Sequence, residues 1–203
     1  MTEADSTGGR LRLGVFGGTF DPLHLGHLAV AQDVLEELEL DRVVLVPAGS
    51  PPHKESGVET PATLRLRMVR EAVAEDPRFE VLPLEVEREG PSWTVDTLGV
   101  LREQRPDAEL FLLMGVDQWR SILSWKAPRR IAELARIVVM GRAGEAPAGL
   151  EGVAGSLPHI AVPVTRLDIS STDLRRRVRD GRSVRFLVPE SVRRLIAEER
   201  LYH

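Results

Sequence analysis

No cysteine occurs among the 203 residues, which excludes disulfides and thiol chemistry and removes the most frequent zinc ligands. Nowhere does an uninterrupted apolar run approach the length needed to span a bilayer. The first nine residues contain Glu3 and Asp5 and lack the apolar stretch of a secretory signal, so the chain reads as cytoplasmic with no membrane partner. Lysine is scarce too: only Lys54 and Lys126 occur, both in motif-like loops, while arginine supplies the remaining positive charge. A net charge of −4 argues against general binding to nucleic acid. That figure conceals an asymmetry, because the stretch from Arg166 to Arg200 holds ten arginines and six acids, a local balance of +4 that leaves −8 elsewhere. A basic end of this kind suits a small polyanion, although a solvated helix face accounts for most of these arginines, since side chains on one helix cannot all point into one pocket.

What is present is an alternation of short apolar runs with stretches of helical periodicity. Strands are expected at residues 13–16, 43–46, 79–86, 110–114, 137–140 and 160–164. Between them, Leu28, Ala31, Val34, Leu35 and Leu38 recur on one helical face, and Thr60 with Pro61 at the first helical position opens a second helix that ends before Pro77. Residues 94–101 and a short segment opened by Pro128 are also expected to be helical, and the Gly/Ala/Pro-rich stretch 141–158 to be a surface loop. The expected fold is α/β: a doubly wound parallel sheet of Rossmann type in one domain, residues 11–203, after a disordered tail at 1–10. In such a sheet the carboxyl ends of all strands share one edge, where ligands bind.

The most informative run is GGTFDPLHLGH, Gly17 to His27, between the first strand and the first helix. Gly17 and Gly18 carry no Cβ, so the backbone can take φ > 0 and let an anion approach its N–H groups, and Thr19 and Phe20 join them as candidate ATP-binding residues. The helix start adds N–H donors and a positive dipole end, and His24 and His27, three apart around Gly26, can each offer one ring N–H to a phosphate oxygen. Singly, the glycine pair reads as a tight turn and the histidines as surface polarity or half a metal site. No third ligand stands at ordinary local spacing, and no metal-binding residue set is assigned. A second anion turn is expected where Ile169 leads into Ser170, Ser171 and Thr172, with hydroxyls at a helix N-cap and Arg175 one turn in. A simple cap with Arg175 in solvent is the alternative. Further motifs follow the other strands: Pro51-Pro52-His53-Lys54, Ser92-Trp93-Thr94 and Gly115-Val116-Asp117.

From residue 13 to residue 202 these motifs resemble the bacterial nicotinate-nucleotide adenylyltransferases, within the nucleotidyltransferases that carry a G-x-F-D-P-x-H-x-G-H loop and a distal I-S-S-T-x-x-R motif. The first and last motifs identify the superfamily, shared with phosphopantetheine adenylyltransferases and cytidylyltransferases. Pro47 to Lys54, S-x-T-x-D-T-L from Ser92, Gly115 to Asp117 and Ser124-Trp125 select the pyridine-nucleotide branch. Trp93 stands where tyrosine is common, and Lys126 where tyrosine or histidine is frequent. The resemblance implies transfer of AMP from ATP, as its Mg²⁺ complex, to nicotinate mononucleotide, with pyrophosphate released. It assigns His24 and His27 to the transferring and leaving phosphates. Arg175, Ser171 and Thr172 take the β/γ end, and Asp117 takes the adenosine part. Thr94, Trp125, Lys126 and Lys54 fall to the nicotinate mononucleotide. Trp125 could stack on the pyridine ring, with core filler as its alternative. A non-catalytic ATP-binding module on the same sheet is the rival of another class, and a homo-oligomer is compatible with the sequence.

Overall fold

The computed structural model describes residues 10–51, 58–142 and 157–203. Lys54, residues 1–9 of the expected tail and nearly all of the expected 141–158 loop lie outside them. Six strands form one parallel sheet: β1 (Arg12–Gly18), β2 (Arg42–Pro47), β3 (Phe79–Val81), β4 (Glu109–Gly115), β5 (Arg136–Arg142) and β6 (His159–Val164). Their spatial order is β3-β2-β1-β4-β5-β6, so the order reverses at β1 and a crevice opens beyond the carboxyl ends of β1 and β4. The helices are α1 (Leu25–Glu37), α2 (Ala62–Val73), α3 (Thr94–Gln104), α4 (Val116–Ser121), α5 (Pro128–Leu134), α6 (Ser171–Arg179) and α7 (Glu190–Glu198), with a 3-10 turn at Ile122–Ser124.

Strand periodicity divides the core in two. Leu13 and Val15 of β1, Leu110, Leu112 and Met114 of β4, and Ile137 and Val139 of β5 face one side, covered by Val95, Leu98 and Leu101 of α3 and Ile131 and Leu134 of α5. Phe16, Phe111, Leu113, Val138 and Met140 face the other, under Ala31, Val34 and Leu35 of α1 and Val69 and Val73 of α2. A third cluster joins Met68 of α2 to Leu174 of α6, to Val192, Leu195 and Ile196 of α7, and to Tyr202. It fixes the carboxy-terminal segment beside the crevice.

Three differences from the expected boundaries bear on the site. The third strand is only three residues long, because Pro83 lacks an N–H for the ladder and its carbonyl instead accepts from the N–H groups of Val86 and Glu87. The second helix starts one residue later, with Pro61 as its cap, and the Thr60 hydroxyl donates to Tyr202 Oη instead of accepting from a helix-start N–H. The first strand continues through Gly17 and Gly18, which pair with Val46 and Pro47.

Candidate active site

That extra strand length corrects the expected role of the glycines. Held in the β1 ladder, Gly17 and Gly18 are extended, and the left-handed residue of the loop is Phe20, at φ 50°. Gly18 is needed for space: a Cβ there would lie 2.7 Å from the Phe20 ring, which folds back beneath it. Phe20 is 2% exposed and meets the His27 ring edge-on at 5.2 Å. The loop thus builds an aromatic floor under the histidines.

Fewer helix-start N–H groups are open than the sequence suggests. The Leu25 N–H donates to the Leu187 carbonyl at 3.1 Å, the His27 N–H to the His24 carbonyl at 2.9 Å, and the His24 N–H to Nδ1 of His27 at 3.3 Å. The last bond sets the His27 tautomer. With Nδ1 accepting, a neutral ring carries its proton on Nε2. The two imidazoles stack at 3.7 Å, and a Cβ on Gly26 would crowd the His24 ring at 3.0 Å. Nδ1 of His24 is buried without a hydrogen-bond partner, so any bond this ring makes to a ligand goes through Nε2. Burial pushes the His24 pKa from 6.5 down to about 4, which keeps the ring neutral at physiological pH.

Behind the loop lies a polar network that sequence reasoning missed. Asp21 is 2% exposed, and its carboxylate accepts from Tyr202 Oη at 2.8 Å and from the Glu59 N–H at 2.8 Å. Tyr202 in turn accepts from the Thr60 hydroxyl at 3.0 Å, and burial raises its pKa. Arg65, 1% exposed, donates to the carbonyls of Thr60 (3.0 Å), Thr19 (2.6 Å) and Gly49 (3.1 Å). One guanidinium therefore fixes the loop after β1 to the loop after β2. Desolvation lowers its pKa, opposed by the Asp21 charge. Carbonyl partners leave no trace in sequence. The only available signal was an arginine at a position that the helical repeat of α2 turns inward, between Leu64 and Leu66 and ahead of Met68 and Val69.

The distal turn caps α6 as expected: Ser170 Oγ accepts from the Asp173 N–H at 3.1 Å. Ser171 Oγ donates to the Pro22 carbonyl at 3.0 Å, and Arg175 donates from Nη1 to the Asp21 carbonyl and from Nε to Glu59, each at 2.9 Å. Two motifs about 150 residues apart in sequence are thereby joined by direct bonds. Of the ten arginines from Arg166 to Arg200, only Arg175 is buried. Arg177 and Arg193 are half-buried and the other seven exposed, so the reading of most of them as solvated side chains holds.

On the other side of β1, Ser92 Oγ accepts from the N–H groups of Gly49 (3.0 Å) and Ser50 (3.2 Å), and Thr94 opens α3. Lys126 Nζ lies 3.0 Å from the Asp96 carboxylate and 5.8 Å from the Trp93 ring, so its ammonium already has an acidic partner. Trp125 is half-buried and donates from Nε1 to Ser121 Oγ at 3.3 Å; the fully buried filler is Trp119. Asp117 is exposed in the first turn of α4 and pairs with Arg120 at 3.1 Å.

All these segments line one cavity of about 1530 Å³. It exceeds the roughly 300–1,000 Å³ of a typical ligand pocket. Gly17, Gly18, Thr19, Phe20, His24, Gly26, His27, Thr94, Gly115, Asp117, Trp125, Lys126, Ile169, Ser170, Ser171, Thr172 and Arg175 all reach its wall. Of the motif after β2, Pro52, His53 and Lys54 fall outside the described residues. Among the described residues, no three His, Asp or Glu side chains gather to hold a metal ion, and no helix is long and apolar enough to cross a membrane.

The sheet brings the loop after β1 and the turn before α6 together at its switch point, and the cytidylyltransferase-like family of nucleotidyltransferases matches residues 15–177. Two proteins named "probable nicotinate-nucleotide adenylyltransferase" align with nearly the whole chain. The one from Thermus thermophilus is 46% identical over 95% of this chain and 100% of its own length. The one from Rubrobacter xylanophilus is 43% identical over 95% and 92%. The fold matches that of Plasmodium falciparum nicotinic acid mononucleotide adenylyltransferase complexed with NaAD, at TM-score 0.75 and 16% identity, covering 94% of this chain and 97% of that one. The chain belongs to the nicotinate-nucleotide adenylyltransferase family.

Proposed function

We propose that this chain transfers the AMP moiety of ATP to nicotinate mononucleotide, giving nicotinate adenine dinucleotide and pyrophosphate in NAD biosynthesis. The supporting observation is the single cavity shared by the loop at residues 17–27 and the turn at residues 169–175, joined through Ser171 to Pro22 and Arg175 to Asp21. One ATP can reach both turns.

The nucleophile is the phosphate of the mononucleotide. With a second pKa near ~6 it is already largely anionic at neutral pH, so in-line attack on the α-phosphorus requires no catalytic base and no covalent enzyme intermediate. What remains for the protein is to orient the reactants and stabilise charge as it shifts to the leaving pyrophosphate. His24 and His27 act there as neutral Nε2–H donors on the transferring and leaving phosphates. Arg175, Ser171 and Thr172, with the backbone of Ile169 and Ser170, take the β/γ end. Gly17, Gly18, Thr19, Phe20 and Gly26 shape the α-phosphate bed, and Gly115 and Asp117 take the adenosine. Thr94, Trp125, the Lys126 N–H and Lys54 take the nicotinate mononucleotide. ATP enters as its Mg²⁺ complex, the ion being carried on phosphate oxygens and water, as this cation prefers. The same reading places the enzyme in the cytoplasm.

Pyrophosphate release, assayed at matched ATP with nicotinate and then nicotinamide mononucleotide, tests the assignment. Turnover favours the nicotinate form, and equal efficiency with both would reject carboxylate recognition by Thr94 and the Lys126 N–H.

A further inference from the structure

Glu85 is a buried carboxylate, 8% exposed, on the wall of the same cavity, and the transfer chemistry gives it no task. Its surroundings account for each of its bonds. Thr97 Oγ1 donates to Glu85 Oε1 at 2.6 Å, while Arg88 Nη2 lies 3.4 Å from the same hydroxyl. The Ser92 hydroxyl acts on the same carboxylate, opposing the rise that burial imposes on the Glu85 pKa. Ser92 Oγ accepts from the N–H groups of both Gly49 and Ser50, so its lone pairs are taken and its own proton has to be donated outward. The Ser92 N–H returns to the Ser50 carbonyl at 2.9 Å. The backbones touch as well: a Cβ on Gly49 would lie 2.1 Å from the Glu85 carbonyl oxygen.

We propose that Glu85 is a positioning residue for the mononucleotide end of the cavity: acting through Ser92 and Thr97, it braces the Gly49–Ser50 turn against the start of α3. The turn after β2 belongs to one βα unit and the segment after β3, with the α3 start, to the next, and the sheet alone leaves their loops free to shift relative to one another. Glu85 collects one hydroxyl from each end of the segment spanning residues 92–97, and Ser92 passes the constraint on to two consecutive backbone N–H groups. Thr94, assigned above to the nicotinate carboxylate, sits between those two hydroxyls. Glu85 is assigned no contact with the substrate, because its carboxylate would repel the carboxylate of the nicotinate. The inference rests on the mononucleotide assignment made above, and its test separates the two.

The test is mononucleotide binding by calorimetry, together with steady-state kinetics, on the full chain carrying Glu85→Gln, Glu85→Ala or Ser92→Ala. Truncation to alanine weakens nicotinate mononucleotide binding and raises its KM by about tenfold or more, because two bonds to a charged acceptor are lost. Glutamine, isosteric and still able to accept one hydroxyl, rescues part of that loss. Throughout, kcat and the KM for ATP stay within about twofold of wild type, and the preference between nicotinate and nicotinamide mononucleotide is unchanged. A purely structural role would lower the melting temperature with the KM for mononucleotide unmoved, and that result overturns the proposal. A changed nicotinate-to-nicotinamide preference overturns it too, since Glu85 would then touch the substrate. A wild-type chain that binds no nicotinate mononucleotide overturns the functional assignment as well. Normal wild-type binding with equally tight binding by the Glu85 variants overturns only the bracing role.

Discussion

Protonating His24 should destabilise the protein. The ring is 6% exposed, its Nδ1 is buried without a partner, and burial lowers its pKa from 6.5 to about 4. Between those two values the unfolded chain binds a proton that the folded chain refuses, so stability is complete above pH 6.5 and falls as the pH drops towards 4. The gap corresponds to roughly 3 kcal/mol of preference for the neutral ring. At about 2–4 °C per kcal/mol for a chain of this size, the melting temperature should fall by roughly 6–12 °C from this group alone. Carboxylates contribute their own acid sensitivity, so the measurement is a difference: thermal melts of wild type and His24→Asn at pH 7, 6, 5 and 4. The wild-type curve should fall more steeply with acidification, and the two should converge near pH 4. Parallel curves, or an NMR titration of the His24 ring with its midpoint near 6.5, would refute the reasoning. Activity carries the same logic, because a cationic His24 would bring a fixed charge where the mechanism uses a neutral donor.

Replacing His27 by alanine should lower kcat by two to three orders of magnitude, about 3 kcal/mol of transition-state stabilisation, with circular dichroism and melting nearly unchanged; near-wild-type turnover would remove it from the mechanism. Tyr202→Phe removes one hydroxyl that donates to the Asp21 carboxylate and accepts from Thr60, and should cost about 2–3 kcal/mol in urea unfolding. The Tyr202 pKa is raised in the fold, so its contribution is whole below about pH 10 and is lost as the pH rises further. The phenylalanine variant should therefore lose less stability at alkaline pH than wild type, and an equal loss would contradict the assignment.

Much of this molecule was legible from composition and spacing, for a definite reason. Strands buried on both faces are continuous apolar runs, so β2, β4 and β5 were visible, and parallel topology then brought the post-strand motifs among the described residues to one edge. The distal serine turn was readable because an N-cap hydroxyl is a local feature. Long-range polar contacts were not. Arg65 gives its hydrogen bonds to carbonyls, which every residue possesses, and Lys126 finds Asp96 thirty positions away. The glycine turn was read as permission for positive φ, whereas Gly18 yields volume to Phe20 and Phe20 itself carries the positive φ. In the arginine-rich end, charge masked the apolar stripe of Val192, Leu195 and Ile196, which packs α7 onto α2.

The bond from Tyr202 to Asp21 spans 181 positions, farther than any strand pairing in the sheet. Contacts with so large a sequence separation are expensive in loop-closure entropy until the intervening chain is already compact. During refolding, the hydrogen-bonded scaffold should therefore precede the ordering of the histidine-bearing loop, and catalytic competence should emerge as a late kinetic phase.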